Sequence, residues 1–516
     1  MGSSPGPSIR PDHPAPRSLH RLVEEFGLEL RGGEDADVEI TGVAVHSGDV
    51  RPGDLYVAAP GAATHGARFA AAAREAGAVV LLTDSAGAEL AAEAGLPTLV
   101  VDDPRAAIGG LSAWVYRTQE DPPLLLGVTG TNGKTSTAHL LEGVLRQLGY
   151  VTGLSSTAER RVGSEVHRSR LTTPEASELH AHLARMREHE TRAAVIEVSA
   201  HALTFGRIDG IVFDVVGFTN LSRDHLDQYG DMEEYFAAKL ALFHPDRARA
   251  AVVNVDDAWG ARVAAEAHIP VTTIATAREG GPDADWRVTV LEETAHGVSF
   301  RLEHRDGRAL ETHEPFLGAH MALNAALAIA MLVESGLELE AIAASLEQEG
   351  GILASLPGRL ERVSGESGPV LVVDYGHSPD AFRSSLAALR AVTPGRVVMV
   401  FGADGDRDTG KRPDMARAAA QGADLVIVTD YNPREEDPAA IRATLVAAAR
   451  EVGSAEVREV PDPPAAIRAA VAAAGEGDSI LWAGPGHEEE MEIRGGPIAY
   501  SARDDARQAL REAGWE

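Results

Sequence analysis

The chain has no cysteine among its 516 residues. Disulfides, zinc–thiolate sites, iron–sulfur clusters and thiol nucleophiles are therefore excluded. Aromatic residues make up only 5%, so the core has to be filled by alanine, valine and leucine. Positive charge is also scarce: 47 Lys and Arg face 78 Asp and Glu, a formal net charge of −31. A surface of that sign has no global attraction for nucleic acid or an anionic membrane. Polyanionic substrates would have to be held by a few local cations. No apolar run approaches the roughly 18 residues of a membrane-spanning helix. The first residues, MGSSPGPSIRPDHPAPRS, contain no apolar signal core. The expectation is a cytoplasmic protein with no nucleic-acid partner and no membrane insertion.

What is present is ordinary globular material, 44% hydrophobic and 24% charged. At about 100–200 residues per domain, the length suggests three domains. Residues 1–18 are rich in Pro, Ser and Gly and read as a disordered tail. An amphipathic helix is expected from Leu19, followed by the strand candidates ITGVAVHS, GDLYVAAPG, AVVLLTD and PTLVVDD. YRTQEDPP reads as a linker, which sets a boundary near residue 122. Beyond it come LLLGVTG, AAVIEVS, FDVVGFTN and RAAVVNVDD, apolar strands that end in polar residues. A second boundary lies near residue 356, in LASLPGRLERV. PVLVVDYGH, RVVMVFGADGDRD, ADLVIVTDYNPR and DSILWAGPGHE repeat the theme between Ala-rich helices. Parallel α/β sheets bind ligands at the carboxyl ends of their strands, where the loops converge. The reading is an α/β fold divided as 19–121, 122–356 and 357–516.

GVTGTNGKTS, Gly127 to Ser136, lies between a strand and a helix and reads as a phosphate loop. The strict spacing fails, because Val128 stands where the first glycine would fall. Glycines let backbone N–H groups approach phosphate oxygens, and the helix N-terminus adds partial positive charge. Gly130, Thr131, Asn132, Gly133, Lys134, Thr135 and Ser136 are the nucleotide-binding candidates. Lys134 would reach the β- and γ-phosphates, and the Thr135 hydroxyl would face Mg²⁺.

The segment GTNGKT, with EVSAHAL, TNLSRDHLDQYG, AAKLALF, LPGRLERV, VDYGHSPDA, GDRDTGKRP, NPREEDP and GPGHE in that order, resembles the ATP-dependent Mur ligases. It is most similar to their branch that adds a diamino acid. The resemblance runs from about Ile40 to the C-terminus. It implies an N-terminal UDP-recognition domain, a central P-loop ATPase domain and a C-terminal Rossmann-like domain. It implies a monomer that binds a UDP-linked muramoyl-dipeptide and a diamino acid, and that consumes ATP with two Mg²⁺ ions.

Residue by residue, the resemblance implies catalytic roles for Lys134, Glu197, His225 and Lys239, and metal ligation by Thr135, Glu197, His225 and a carbamylated Lys239. Asn324, Arg359, Asp374 and His377 match positions that hold the base and ribose. Thr172, Thr173, Ser199 and Arg207 match contacts to the muramoyl-dipeptide, and Ser47 matches a contact to its UDP end. Arg407, Asn432, Arg434, Gly484 and Glu488 match the amino-acid pocket, where Arg434 would take the distal carboxylate of diaminopimelate. Several positions depart from the family pattern. His46-Ser47-Gly48 stands for Asp-Ser-Arg, Phe205 for Gln, Met321 for Asn, Asp404 for Gly, Tyr431 for Asp and Pro485 for Lys. Ser501-Ala-Arg-Asp likewise replaces the usual Asp-Asp-Arg-Glu. A ligase of the same mechanism with another amine or carboxylate stays open, as does a non-catalytic nucleotide-binding protein.

Overall fold

The computed structural model describes residues 9–33, 37–61, 64–169, 171–226 and 228–515. Among these, the strands form three larger sheets and two small pairs. In the first sheet the order is Glu29–Arg31, Thr98–Val100, Val80–Thr83, Asp54–Ala58, Gly42–Ala44, parallel except for the first strand. The four strand candidates of this region all lie in it.

The second sheet has eleven strands. Its middle is parallel: Thr152–Ser155, Ala193–Glu197, Leu124–Thr129, Phe213–Phe218, Ala248–Asn254, Val271–Thr276 and Trp286–Thr294 lie side by side in that order. Antiparallel strands flank it at both ends. Strands buried on both faces read as continuous apolar runs, as AAVIE and LLLGVT do here. One face is covered by the helices Lys134–Gln147 and Ala319–Glu334, the other by Ala176–Glu188 and Met232–Leu240. Ala319–Glu334 is buried on nearly every side, and its alanines let it approach the sheet closely. The chain runs outward from Leu124–Thr129, returns to place Ala193–Glu197 beside it, and then crosses to Phe213–Phe218 on the other side. This reversal makes a crevice at the carboxyl ends of these strands.

The third sheet runs Glu361–Arg362, Val370–Asp374, Ser479–Ala483, Val397–Phe401, Leu425–Val428, Glu456–Glu459 and is parallel beyond its first strand. The last strand in sequence, Ser479–Ala483, inserts between the first two long ones. The loops after residues 374, 401, 428 and 483 therefore meet at one edge. No helix among the described residues is long and apolar enough to cross a membrane.

The tail expected over residues 1–18 needs correcting from Ile9 onward; residues 1–8 lie outside the described residues. Arg10 Nη1 donates to both oxygens of buried Asp54, at 2.6 and 2.7 Å. The backbone N–H groups of Asp12 and His13 donate to Glu188 at 2.8 and 2.7 Å. Arg17–Ser18 pairs with Glu39–Ile40. An ionised carboxylate buried alone would be strongly destabilising, so Asp54 fixes this arm through Arg10. Proline restricts the unfolded arm and so lowers the entropy lost on docking.

A second buried carboxyl gives a prediction. Glu314 ends the strand Ala309–Glu314, is fully buried, and accepts from the Phe316 N–H at 2.9 Å. Burial, reinforced by Glu293, pushes it up to about 9. The unfolded chain ionises this group near pH 4–5, whereas the folded chain keeps it protonated until about pH 9. The folded state then holds the extra proton, so this group's contribution lowers stability as pH rises through that window. Glu314→Gln should gain on the wild type in thermal unfolding as pH goes from 5 to 8, by about 1 kcal/mol or more. A gap that does not change with pH would reject the assignment.

Candidate active site

The phosphate-loop candidate leaves the strand Leu124–Thr129 at Gly130, φ 146°, and enters the helix Lys134–Gln147 through Gly133, φ 84°. Both need glycine for space as well as for φ. A Cβ on Gly130 would lie 1.9 Å from Thr219 Oγ1, and one on Gly133 would lie 2.7 Å from Asn324 Oδ1. The neighbouring loop holds the turn rigid. Thr131 N donates to Asn220 O at 2.8 Å, Asn132 N to Asn220 Oδ1 at 3.0 Å, and Thr219 Oγ1 to Asn132 O at 2.6 Å. Lys134 Nζ donates to Thr131 O at 2.9 Å. Burial lowers its pKa, opposed by Glu197. Ser136 is buried in the first turn of the helix.

Glu197 ends the adjacent strand and is buried. Its carboxylate accepts from Thr135 Oγ1 at 3.0 Å, from Thr157 N at 2.8 Å and from Thr157 Oγ1 at 3.0 Å. Arg359 comes from the segment before the third sheet. Its guanidinium lies 4.3 Å from the Tyr375 ring centroid and donates to Thr135 Oγ1 at 3.1 Å. Arg359 and the phosphate-loop candidate therefore meet. A second bridge joins the same two parts: Lys411 to Asp224 at 3.7 Å.

Lys239, on the helix Met232–Leu240, is 1% exposed and donates to Gly130 O at 2.6 Å. Burial, and next the Lys134 charge, hold its amine well below the ordinary lysine range. His225 has φ 55° and packs edge-on to His201, with 5.0 Å between ring centroids. Burial pushes it down to about 4 against the pull of Asp224. A neutral imidazole is the form that can ligate a metal.

Three other residues were expected, with Arg359, around base and ribose. Asn324 faces Gly133, as above. Asp374 already accepts from Ser385 Oγ, on the helix Pro379–Val392, at 2.8 Å and from Leu360 N at 3.2 Å. His377 Nδ1 is 2.9 Å from Tyr375 O, and its ring stands edge-on to the Tyr375 ring.

On the substrate side, Thr173 Oγ1 donates to Glu197 O at 2.7 Å and accepts from Ser199 N at 3.1 Å. The Thr172 and Thr157 hydroxyls are 3.0 Å apart. Ser199 caps the helix Ala200–Thr204. Arg207 is bonded to Glu175 at 2.9 Å and to Thr173 O at 3.3 Å, beside an exposed Phe205. Ser47 begins a short turn after a strand of the first sheet and is not part of this constellation.

The amino-acid candidates gather at the edge of the third sheet. Arg434, φ 49°, has all three guanidinium nitrogens engaged. Nε is ion-paired with Glu492, Nη1 donates to Gly405 O at 2.7 Å, and Nη2 is 3.4 Å from Asp404. Glu488 accepts from Tyr431 Oη at 2.7 Å and from Asn432 Nδ2 at 3.4 Å. Gly484, φ 120°, faces the Tyr431 ring. Arg407 is exposed on the loop that carries Asp404.

Four contributors escaped the sequence reading: Thr157, Tyr375, Asn220 and the Lys411–Asp224 pair. Asn220, Asp224, Tyr375 and Lys411 lie inside motifs already singled out. Thr157 carries no such signal, because it acts through Glu197, remote in sequence.

Among the described residues, no three His, Asp or Glu side chains are grouped as a metal site. The donors nonetheless fit Mg²⁺, a hard ion that keeps waters and phosphate oxygens and needs only one or two protein oxygens. Thr135 and Glu197 offer such oxygens side by side. Lys239 as an ammonium does not fit; as a carbamate it would.

Three family models match the chain: "Mur ligase family, catalytic domain" over residues 39–116, "Mur ligase middle domain" over 128–332, and "Mur ligase, glutamate ligase domain" over 358–486. The chain is similar to UDP-N-acetylmuramyl-tripeptide synthetase of Leifsonia xyli subsp. xyli, 61% identical over 515 residues, 99% of this chain and 100% of the relative. It is also similar to the UDP-N-acetylmuramoyl-L-alanyl-D-glutamate–2,6-diaminopimelate ligase of Streptomyces coelicolor, 46% identical over 99% of this chain and 98% of the relative. A solved structure of a ligase of the latter name superposes with TM-score 0.65 at 27% identity, covering 97% of this chain and all of the other.

Proposed function

Because the chain belongs to the Mur ligase family, we propose that it is the ATP-dependent ligase that joins a diamino acid to UDP-N-acetylmuramoyl-L-Ala-D-Glu during peptidoglycan precursor synthesis. Diaminopimelate, in the name of the Streptomyces relative, is the first reading of the amino acid. The observation that carries the proposal is the meeting of four groups at the crevice of the second sheet: Lys134, the Thr135–Glu197 pair, buried Lys239, and Arg359 from the next part of the chain.

The division 19–121, 122–356 and 357–516 assigns these parts to UDP recognition, ATP and the amino acid. A carboxylate does not form an amide at neutral pH without activation. In this reading the D-Glu carboxylate attacks the γ-phosphorus of ATP, giving an acyl phosphate and ADP. The amine then adds to the acyl carbon, loses a proton, and the tetrahedral adduct expels inorganic phosphate. Lys134 neutralises the β- and γ-phosphates, and Arg359 adds a second cation at the same place. Arg207 and Thr173 orient the muramoyl-dipeptide, and Asn324, Asp374 and His377 the nucleoside. Mg²⁺, held by Thr135 and Glu197 with His225 and a carbamate on Lys239, would supply charge neutralisation along the phosphates.

A second reading, a ligase of the same mechanism for a different amine, is favoured by one observation: the guanidinium of Arg434 is already ion-paired. ADP release with a panel of amino acids, with and without the UDP-muramoyl-dipeptide, tests both. Release should require both co-substrates. Release that ignores the muramoyl-dipeptide, or no release with any amino acid, would overturn the ligase reading.

A further inference from the structure

We propose that Asp404 is a specificity-determining residue of the amino-acid pocket, and that it weakens recognition of a distal carboxylate in favour of a bare terminal ammonium. This rests on the ligase reading above. Asp404 stands where the family pattern has a glycine, so its charge is an addition to the site.

The geometry gives that charge a definite target. Arg434 is the cation that would grip a distal carboxylate, and a guanidinium does so best with two parallel N–H groups. Here Nη2 faces Asp404, Nε faces Glu492 and Nη1 is held by Gly405 O. A substrate carboxylate would have to displace one of these anions and then sit beside it.

The loops are locked in this arrangement. Gly405 N donates to Asn432 O at 2.9 Å, Arg434 N to Glu492 O at 3.2 Å, and Glu492 N to Asn432 Oδ1 at 2.8 Å. Asp406, Asn432 and Arg434 all take left-handed backbone angles to achieve it. Arg412 adds no free positive charge, since its guanidinium is paired with Glu436 while donating to the Asp404 carbonyl at 2.7 Å.

The neighbouring side chains point the same way. Tyr431 replaces the family's acidic residue and presents a neutral phenol hydrogen-bonded to Glu488. Asp404 and Glu492 thus flank one arginine, and the Glu488 carboxyl lies within electrostatic reach of both, leaving a negative excess that suits a terminal ammonium. An Asp404 carboxylate next to the incoming carboxylate is a repulsive element, the usual way a pocket rejects an alternative substrate.

The test is steady-state kinetics with diaminopimelate and lysine, using the UDP-muramoyl-dipeptide and ATP, on the wild type and on Asp404→Gly, Asp404→Asn and Asp404→Glu. Glycine and asparagine should raise the diaminopimelate-to-lysine ratio of kcat/KM by at least about tenfold, chiefly through KM for diaminopimelate. Glutamate should keep the wild-type ratio. KM for ATP should not move in any variant, which separates lost charge from lost folding. A ratio within about twofold of wild type in both neutral variants would overturn the role of Asp404 while leaving the ligase reading intact. No ADP release with diaminopimelate or lysine in the wild type would overturn the role of Asp404, and no release with any amino acid would overturn the ligase reading as well.

Discussion

Lys134→Ala is expected to lower ATP turnover by about 10²–10³-fold or more, the loss that follows when a preorganised partner of transition-state charge is removed. The fold should survive the change. Lys134 is the first residue of the helix Lys134–Gln147, where the helix dipole disfavours a cation. Burial lowers the pKa of its ammonium, opposed by Glu197 and Asp224 and reinforced by Arg359, and its Nζ donates to Thr131 O at 2.9 Å. A positive charge placed so unfavourably is explained by a polyanion that fills the loop. Removing it should leave the thermal midpoint unchanged or slightly raised, while ADP release disappears. ADP release near the wild-type rate from a folded Lys134→Ala protein would end the phosphate-loop assignment.

This part of the site was legible because its information is local. A strand, a glycine turn with Lys-Thr, and a helix occupy consecutive residues, and the same stretch builds the loop in space. Glu197 was legible for a similar reason, since apolar strands that end in a polar residue place it at the crevice. Most of the long parallel strands of the three sheets were found from their apolar runs, but Thr152–Ser155 and the threonine-rich Val271–Thr276 were not.

The strands that were missed are polar or alternating. Glu456–Glu459 is EVRE at a sheet edge, and Trp286–Thr294 with its two successors forms an antiparallel flank that is partly solvated. Charged residues belong on such edges and mask the strand signal. The Arg10 arm was misread because composition reports flexibility, whereas its order depends on partners remote in sequence, buried Asp54 and Glu188 among them. The partners of Arg434 were hidden for the same reason. Glu492 belongs to a small hairpin and Asp404 to another loop, and neither spacing nor periodicity joins them. The departure of Asp404 from the family pattern was visible in the sequence; its target was visible only in space.

Lys239→Ala is expected to lose ligase activity by at least about a hundredfold, as when a charged group that organises a reacting centre is lost. Short-chain carboxylic acids should restore part of it. The helix Met232–Leu240 is anchored at its start by Asp231, whose side chain accepts from Glu233 N and Glu234 N, both at 2.9 Å. It carries Lys239 inward until Nζ meets Gly130 O, inside the phosphate loop. An ammonium there lies among Lys134 and the phosphates that Lys134 would hold, with no metal-ligating ability of its own. Burial and Lys134 favour the neutral amine, the form that adds carbon dioxide. The amine nitrogen bonds to the carbon and one proton is released, leaving a carbamate. That exchange turns a neutral amine into an anion beside Lys134 and offers oxygen donors for Mg²⁺. Alanine removes the anion and leaves space beside Gly130, which acetate or propionate can enter to supply a carboxylate at the same place. Lys239→Arg, which stays cationic, should be inactive and should not respond to the acids. Carbon-13 NMR of wild type in labelled bicarbonate should show a carbamate signal that the alanine variant lacks. Full activity of Lys239→Ala in bicarbonate-free buffer without added acid would remove the carbamate from the mechanism.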